Sequence, residues 1–280
     1  MTIRIVTDSA CDLSNEELAE WGIGMVPLSI RFGDDEFVDR TELSTDEFYE
    51  RLATSEVLPE TSAPAPGAFV EMFNAMAAEG ATGVVCINLS EALSATIQSA
   101  RTAAESDDVS IDVRVVNSKS VTGGLGSICL AAAKAAKDGA SADEVVALVE
   151  DMTNRTRVYA TLDTLENLKK GGRIGGAQAA FGALLSIKPL LDLSSGEVVA
   201  AGKQRTRKRA LGWLRDQIAE AGADIENLAI LHSNADDMDE FLASLSDLPT
   251  VASARTNIIG AVVGTHGGKG IIGITYQIAG

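Results

Sequence analysis

Hydroxyl, imidazole and cationic side chains recur in this sequence in glycine- or proline-rich settings, where backbone and ligand can approach each other closely. Thr61 and Ser62 sit side by side on a segment stiffened by Pro59, Pro64 and Pro66. Together they offer two hydroxyls and two backbone N–H groups, neutral donors able to hold a carboxylate without burying a second full charge. The same residues also suit capping a turn before the next helix. Ser94, with Ala95 behind it, falls where a strand gives way to a helix. A helix start presents free N–H groups and a partial positive charge to an anion, and a capping serine leaves such donors exposed.

His266, one of two histidines, lies in Gly264-Thr265-His266-Gly267-Gly268, which reads as a loop of little bulk. His232 ends a strand and reads as structural. Lys169-Lys170-Gly171-Gly172-Arg173 is a basic helix end that glycine must terminate. A second basic run, Lys203 with Arg205, Arg207, Lys208 and Arg209, is either a solvated helix face or a docking patch for an acidic or nucleotide-loaded partner.

Much chemistry is excluded. Cys11, Cys86 and Cys129 lack zinc-ligand spacing and suit free thiols in a reducing cytoplasm. Thr122-Gly123-Gly124-Leu125-Gly126 has neither the G-x-G-x-x-G spacing nor the lysine of a phosphate loop, and close helix packing explains it better. A net charge of −17 repels nucleic acid and anionic membrane surfaces. No apolar run approaches the roughly 20 residues of a membrane span, and residues 1–4 lead into a strand rather than a leader. With 46% hydrophobic but only 4% aromatic residues, any cavity should be aliphatic.

The elements that must position these residues alternate in type. Strands over 3–6, 82–88 and 113–117 interleave with helices over 14–21, 45–53, 69–78, 93–104, 125–137 and 142–154. A hairpin over 25–37 turns at Gly33-Asp34-Asp35, and 59–67 reads as a stiff loop. That alternation implies a helix-covered parallel sheet. Beyond it lie a strand over 157–161, a helix over 177–185, a hairpin of 187–193 with 198–203, a helix over 205–221, a strand over 228–232, a helix over 236–245 and closing strands over 251–256 and 270–276. The expected fold is α/β in two lobes, with a parallel-sheet domain over 1–155 and an α+β domain over 156–280.

Six collinear blocks resemble the DegV family, whose members include fatty-acid-binding subunits of the bacterial fatty acid kinase system. They are Ile5-Val6-Thr7-Asp8-Ser9 with Asp12-Leu13, Thr61-Ser62, Leu89 to Thr96, Thr161-Leu162 with Leu168 to Ile174, Lys188-Pro189-Leu190, and Gly260 to His266. The likeness runs from about Ile3 to the C-terminus. Ala63, Ala65, Ala95, Ile97 and Asn117 depart from the usual pattern but remove no proposed hydroxyl.

The resemblance implies a carrier without catalytic machinery of its own, which holds a long-chain fatty acid between its lobes. Thr61, Ser62, Ser94, Ala95 and His266 would bind the carboxylate. Arg173, Lys203 and Arg205 would serve the head group or the docking of an ATP-dependent fatty acid kinase subunit. It implies no metal, no cofactor beyond the fatty acid, and a cytoplasmic location. Two alternatives stand beside it: an esterase or acyltransferase using Ser94 or Ser9 with His266, and a lipid-responsive interaction protein using residues 203–209.

Overall fold

The computed structural model of this protein describes residues 2–181 and 187–280. Its first half runs β1 (Ile3–Asp8), α1 (Asn15–Trp21), β2 (Gly24–Val26), β3 (Ser29–Phe32), β4 (Asp35–Val38), α2 (Thr45–Thr54), β5 (Glu60–Ser62) and α3 (Pro66–Ala78). It continues through β6 (Gly83–Asn88), α4 (Thr96–Ala104), β7 (Asp112–Asn117), α5 (Thr122–Lys137) and α6 (Ala142–Arg155). The second half runs β8 (Thr156–Thr161), α7 (Glu166–Lys170), α8 (Ala177–Phe181), β9 (Lys188–Asp192), β10 (Val199–Gln204) and α9 (Arg207–Ala221). It closes with β11 (Ile225–His232), α10 (Met238–Ser244), β12 (Arg255–Ile258), α11 (Ala261–Gly267) and β13 (Ile272–Ile278).

β2-β1-β6-β7 form a wholly parallel sheet. Its central strand β6 is buried on both faces, as a sheet covered on both sides requires, while the edge strand β7 exposes Asp112 and Arg114. Ile3, Ile5, Val85 and Ile87 join the cluster containing α5 and α6, whereas Val6, Val84 and Cys86 pack with Phe69, Phe73, Ala100 and Ala103 of α3 and α4. The second sheet, β10-β9-β8-β13-β11-β12, is mixed: all its pairs are antiparallel except β11 with β12. Leu228, Ile230, Ile272 and Ile274 meet Leu214, Ile218 and Phe241 of α9 and α10 on its outer face. The alternate residues Ala229 and Leu231 face inward.

α5 is the layer between the two sheets. A Cβ on Gly123 would lie 2.7 Å from Leu231 Cδ2 and 3.2 Å from Thr275 Cγ2 in the mixed sheet. One on Gly126 would lie 2.7 Å from the Cys11 carbonyl oxygen, just past the end of β1. The glycine run is therefore a close-packing surface, as its sequence suggests.

Several elements depart from the sequence reading. Residues 25–32 are two strands in two sheets. Pro27 has no N–H to continue a ladder, so β2 pairs with β1 while β3 turns away to pair with β4 and β5. The β3–β4 hairpin does turn at Gly33, at φ 61°. The expected 59–67 loop contains β5, recruited by β3 through the Ile30–Thr61 and Ser29–Ser62 pairs. α4 begins at Thr96 rather than 93, and residues 249–253 form a 3-10 turn ahead of β12. Gly264 to Gly267 belong to helix α11, not a loop. Tertiary contact selects those glycines: a Cβ on Gly264 would stand 2.7 Å from both Phe48 Cε1 and Tyr49 Oη of α2. The helix expected over 177–185 is observed as α8, and its remainder lies outside the described residues.

Two glycine substitutions separate packing from propensity. Gly126→Ala forces a methyl against a backbone oxygen and should cost about 1–3 kcal/mol. Gly212→Ala, inside α9 with nothing within 4 Å of the new Cβ, should gain about 0.5–1 kcal/mol. Urea unfolding of the two variants should shift the midpoint in opposite directions.

Candidate functional site

Thr61 reaches the interior because β5 pairs with β3, which turns alternate side chains to opposite faces. Thr61 points inward, and Ser62 is exposed with its hydroxyl donating to Glu36 Oε1 at 3.3 Å. His266 lies in the last turn of α11, with its Nε2 2.8 Å from Thr61 Oγ1. The ring fits there because Gly171, at the end of α7, has no side chain to collide with Nδ1. Gly172, at φ 71°, terminates α7, and the Arg173 N–H returns to the Leu168 carbonyl at 2.9 Å. This turn aims Arg173 across the gap: its Nε donates to the Leu93 carbonyl at 3.1 Å and a terminal nitrogen donates to the Gly171 carbonyl at 2.8 Å.

Ser94 follows Leu93 on the loop before α4, its hydroxyl 2.9 Å from Thr96 Oγ1. The buried Asp8 carboxylate, at the end of β1, holds the start of that loop. It accepts from the Leu89 N–H at 2.9 Å, Asn88 Nδ2 at 3.1 Å and the Ala10 N–H at 3.2 Å. Ser90 ties the same loop to the β9–β10 turn, donating to the Gly196 carbonyl at 2.7 Å.

Thr61, Ser94, Arg173 and His266 all lie on the lining of a largely aliphatic slot between the two sheets. Leu28, Leu89, Val121 and Val262 line it from one hydrophobic cluster and Leu162, Leu191, Leu231, Ile259 and Ile271 from another. Thr61, Arg173 and His266 also line an outer polar depression with Glu56, Glu60, Asn167 and Lys170. The three residues thus form a doorway with oil on one side and water on the other.

Ala95 is exposed at the N-cap of α4 and lines neither space. Lys203 and Arg205 are likewise exposed, on and just beyond β10 and away from both. Arg207 from the same basic run is engaged by Asp237 through bonds of 2.8 and 3.0 Å. Among the described residues no hydrogen bond joins Ser94 or Ser9 to His266: the Ser9 hydroxyl accepts from the Leu28 N–H, and His266 Nε2 is held by Thr61. No group of three or more His, Cys, Asp or Glu among those residues is placed to hold a metal ion, and none of their helices is long and apolar enough to cross a membrane. Residue chemistry alone missed Asp8, Asn167 and Gly171. Asp8 had one available signal, a carboxylate at the C-terminal end of a parallel strand, where such folds build their sites.

Burial first, and the nearby Arg173 charge second, press the His266 pKa down to about 4. The imidazole is therefore neutral, and the doorway combines neutral hydroxyl and imidazole groups with one guanidinium. An oriented carboxylate fits that set: a cation meets its charge, and hydroxyls satisfy its remaining lone pairs.

A family model described as "Uncharacterised protein, DegV family" matches residues 2–279. A DegV domain-containing protein of Streptomyces coelicolor is 37% identical over 278 residues, covering 98% of both chains. Among solved structures, a DegV family protein from Thermus thermophilus, described by its fatty acid binding, superposes with a TM-score of 0.88 at 34% identity, covering 99% of this chain and 100% of its own. DegV of Bacillus subtilis, described as a fatty acid binding protein, gives 0.87 at 30% identity with 99% of each chain covered.

The charge state of His266 is directly measurable. Its folded pKa lies below the unfolded value, so its contribution to stability is complete above pH 6.5 and is lost as pH falls toward 4, where the unfolded chain takes up the proton. An NMR titration of the ring should give a midpoint near 4. Arg173→Gln should raise that midpoint by less than half of the way to 6.5, because burial is the larger cause. A return to 6.5 in that variant would assign the shift to Arg173 instead.

Proposed function

This chain belongs to the DegV family, and from that premise we propose that it binds a long-chain fatty acid with the tail in the aliphatic slot and the carboxylate at the doorway. One observation carries the reading: a largely aliphatic slot and an outer, solvent-facing polar depression share Thr61, Arg173 and His266 as common lining. Thr61, Ser94 and His266 supply neutral contacts to the carboxylate, and Arg173 supplies the positive charge. Each methylene taken out of water contributes about 0.8 kcal/mol, so a long tail gains on the order of 10 kcal/mol before ordering costs. The tail supplies affinity; the doorway sets direction. The fatty acid binding described for the relatives from Thermus thermophilus and Bacillus subtilis supports this reading.

The finer role is that of a carrier in the cytoplasm. The bound carboxylate faces the outer depression, where a separate ATP-dependent kinase subunit would reach it and form an acyl phosphate. A carboxylate held among fixed donors and partly stripped of water is oriented for attack on a phosphoryl group. Arg173 and Lys170 would meet the incoming phosphate, while ATP and magnesium belong to the partner. Lys203 and Arg205 would serve the docking of that partner, since they lie away from the doorway. Residues 1–155 and 156–280 would act as the two lobes that close on the lipid.

Organic extraction of the purified protein followed by mass spectrometry should release a long-chain fatty acid, and delipidated protein should take up oleate. Thr61→Ala and Ser94→Ala should each weaken oleate binding by about ten-fold, the value of one hydrogen bond to a charged group. Ser62→Ala should leave it within about two-fold. Absence of extracted lipid together with no oleate uptake would reject the carrier.

A further inference from the structure

We propose that Asp12 positions the doorway from a distance, by clamping the N-terminus of the helix whose other end carries His266. The inference rests on the doorway proposed above, and it concerns how that doorway is held in place.

α11 closes one side of the slot with Val262 and presents His266 to Thr61. Its seven residues are too few to hold a helix in place without outside contacts. At its start, Gly260 has no side chain to supply a cap. The cap comes instead from a residue 248 positions away: the Gly260 N–H donates to Asp12 Oδ1 at 3.0 Å. This sets a hydrogen-bond acceptor oxygen at the positive end of a helix. Beside it, the Tyr49 hydroxyl donates to the Ile259 carbonyl at 2.8 Å. The chain entering α11 is thus held from two elements of the parallel-sheet half.

The position of Asp12 is costly, and nothing in the slot's own chemistry requires it. Its backbone sits in the left-handed region at φ 50°, uncommon for any residue but glycine although aspartate enters it more readily than most. Its carboxylate is removed from water, and that burial pushes its pKa up to about 7. Among the described residues, Gly260 provides the one hydrogen bond to the side chain. The Thr122 hydroxyl faces the same carboxylate without forming a good bond and is itself at φ 51° on the slot wall. The other charges that bear on Asp12 are those of Asp39 and Arg40. Two segments that line the slot, the first residue of α5 and the entrance of α11, therefore converge on one carboxylate presented by the loop after β1. A Cβ on Gly260 would stand 2.6 Å from Asp12 Oδ1, so the contact tolerates no side chain there.

Two variants break the clamp from opposite sides. Asp12→Ala removes the acceptor; Gly260→Ala leaves the carboxylate but wedges a methyl into the contact, at a φ of −71° that alanine accepts. Asp12→Asn keeps an acceptor oxygen. In lipid-free protein, Asp12→Ala and Gly260→Ala should raise the His266 pKa from about 4 toward 6.5 as the ring loses its buried seat. Asp12→Asn should hold it near the wild-type value. Oleate should dissociate at least about ten-fold faster from the first two and within about three-fold of wild type from the third. If Asp12→Ala does not fold, Gly260→Ala is the variant to measure. A cooperatively melting Gly260→Ala or Asp12→Ala protein with unmoved His266 titration and wild-type oleate release would overturn the proposal. Failure of wild-type protein to take up oleate would instead count against the carrier, and the His266 titration would still test the clamp.

Discussion

The separation of the two sheets depends on how closely helix α5 can approach both of them. Its first turns carry Gly123, Gly124 and Gly126, and each lies where a Cβ would collide with a neighbouring residue. Because that face is bare, the mixed sheet can rest on one side of the helix while the loop after β1 rests on the other. The slot begins beside this contact, with Val121 and Thr122 at the helix start on its wall. Bulk at those glycines would change the spacing between sheets, and with it the width left for a tail. The packing of α5 and the existence of the slot are thus one constraint.

A second constraint is electrostatic. A chain of net charge −17 presents a poor general environment for another carboxylate, so a binding end for one must be built locally. In the proposed site Arg173 is that local reversal, held by the Leu93 and Gly171 carbonyls and paired with no acidic side chain among the described residues. It also helps keep His266 neutral, because a second cation beside it would be repelled. The fold accepts buried carboxylates elsewhere for the same architectural end. Burial raises the Asp8 pKa to about 6, yet three donors converge on that side chain and hold the loop that leads to Ser94. Buried charge here is spent on positioning loops.

Local signals made much of the fold legible. Helices read to begin at 14, 45 and 142 do begin within a residue of those positions, each closed by a capping box: Ser14 with Glu17, Ser44 with Glu47 and Ser141 with Glu144. The alternation of strand and helix in the first half implied a helix-covered parallel sheet, and one forms there. Where long-range contacts decide, the signal was absent. β5 is three residues in a proline-rich segment and is a strand only because β3 pairs with it. α11 contains two glycines, which argue against a helix until the rings of Phe48 and Tyr49 are seen to need the space.

The sequence by itself determined the family, the alternation of strand and helix, the aliphatic character of any cavity, and the residue types able to meet an acid group. All of these follow from short-range patterning or from collinear motifs, which the one-dimensional chain carries in full. Only the tertiary structure decided that Thr61, Arg173 and His266 share one doorway with Ser94 on the same slot, that Ser62, Ala95, Lys203 and Arg205 do not line it, and that Asp12 holds the entrance of the helix that carries His266. Those outcomes turn on which face of a strand looks inward and on contacts between residues as much as 248 positions apart, and a strand's register is set by its partners rather than by its own residues.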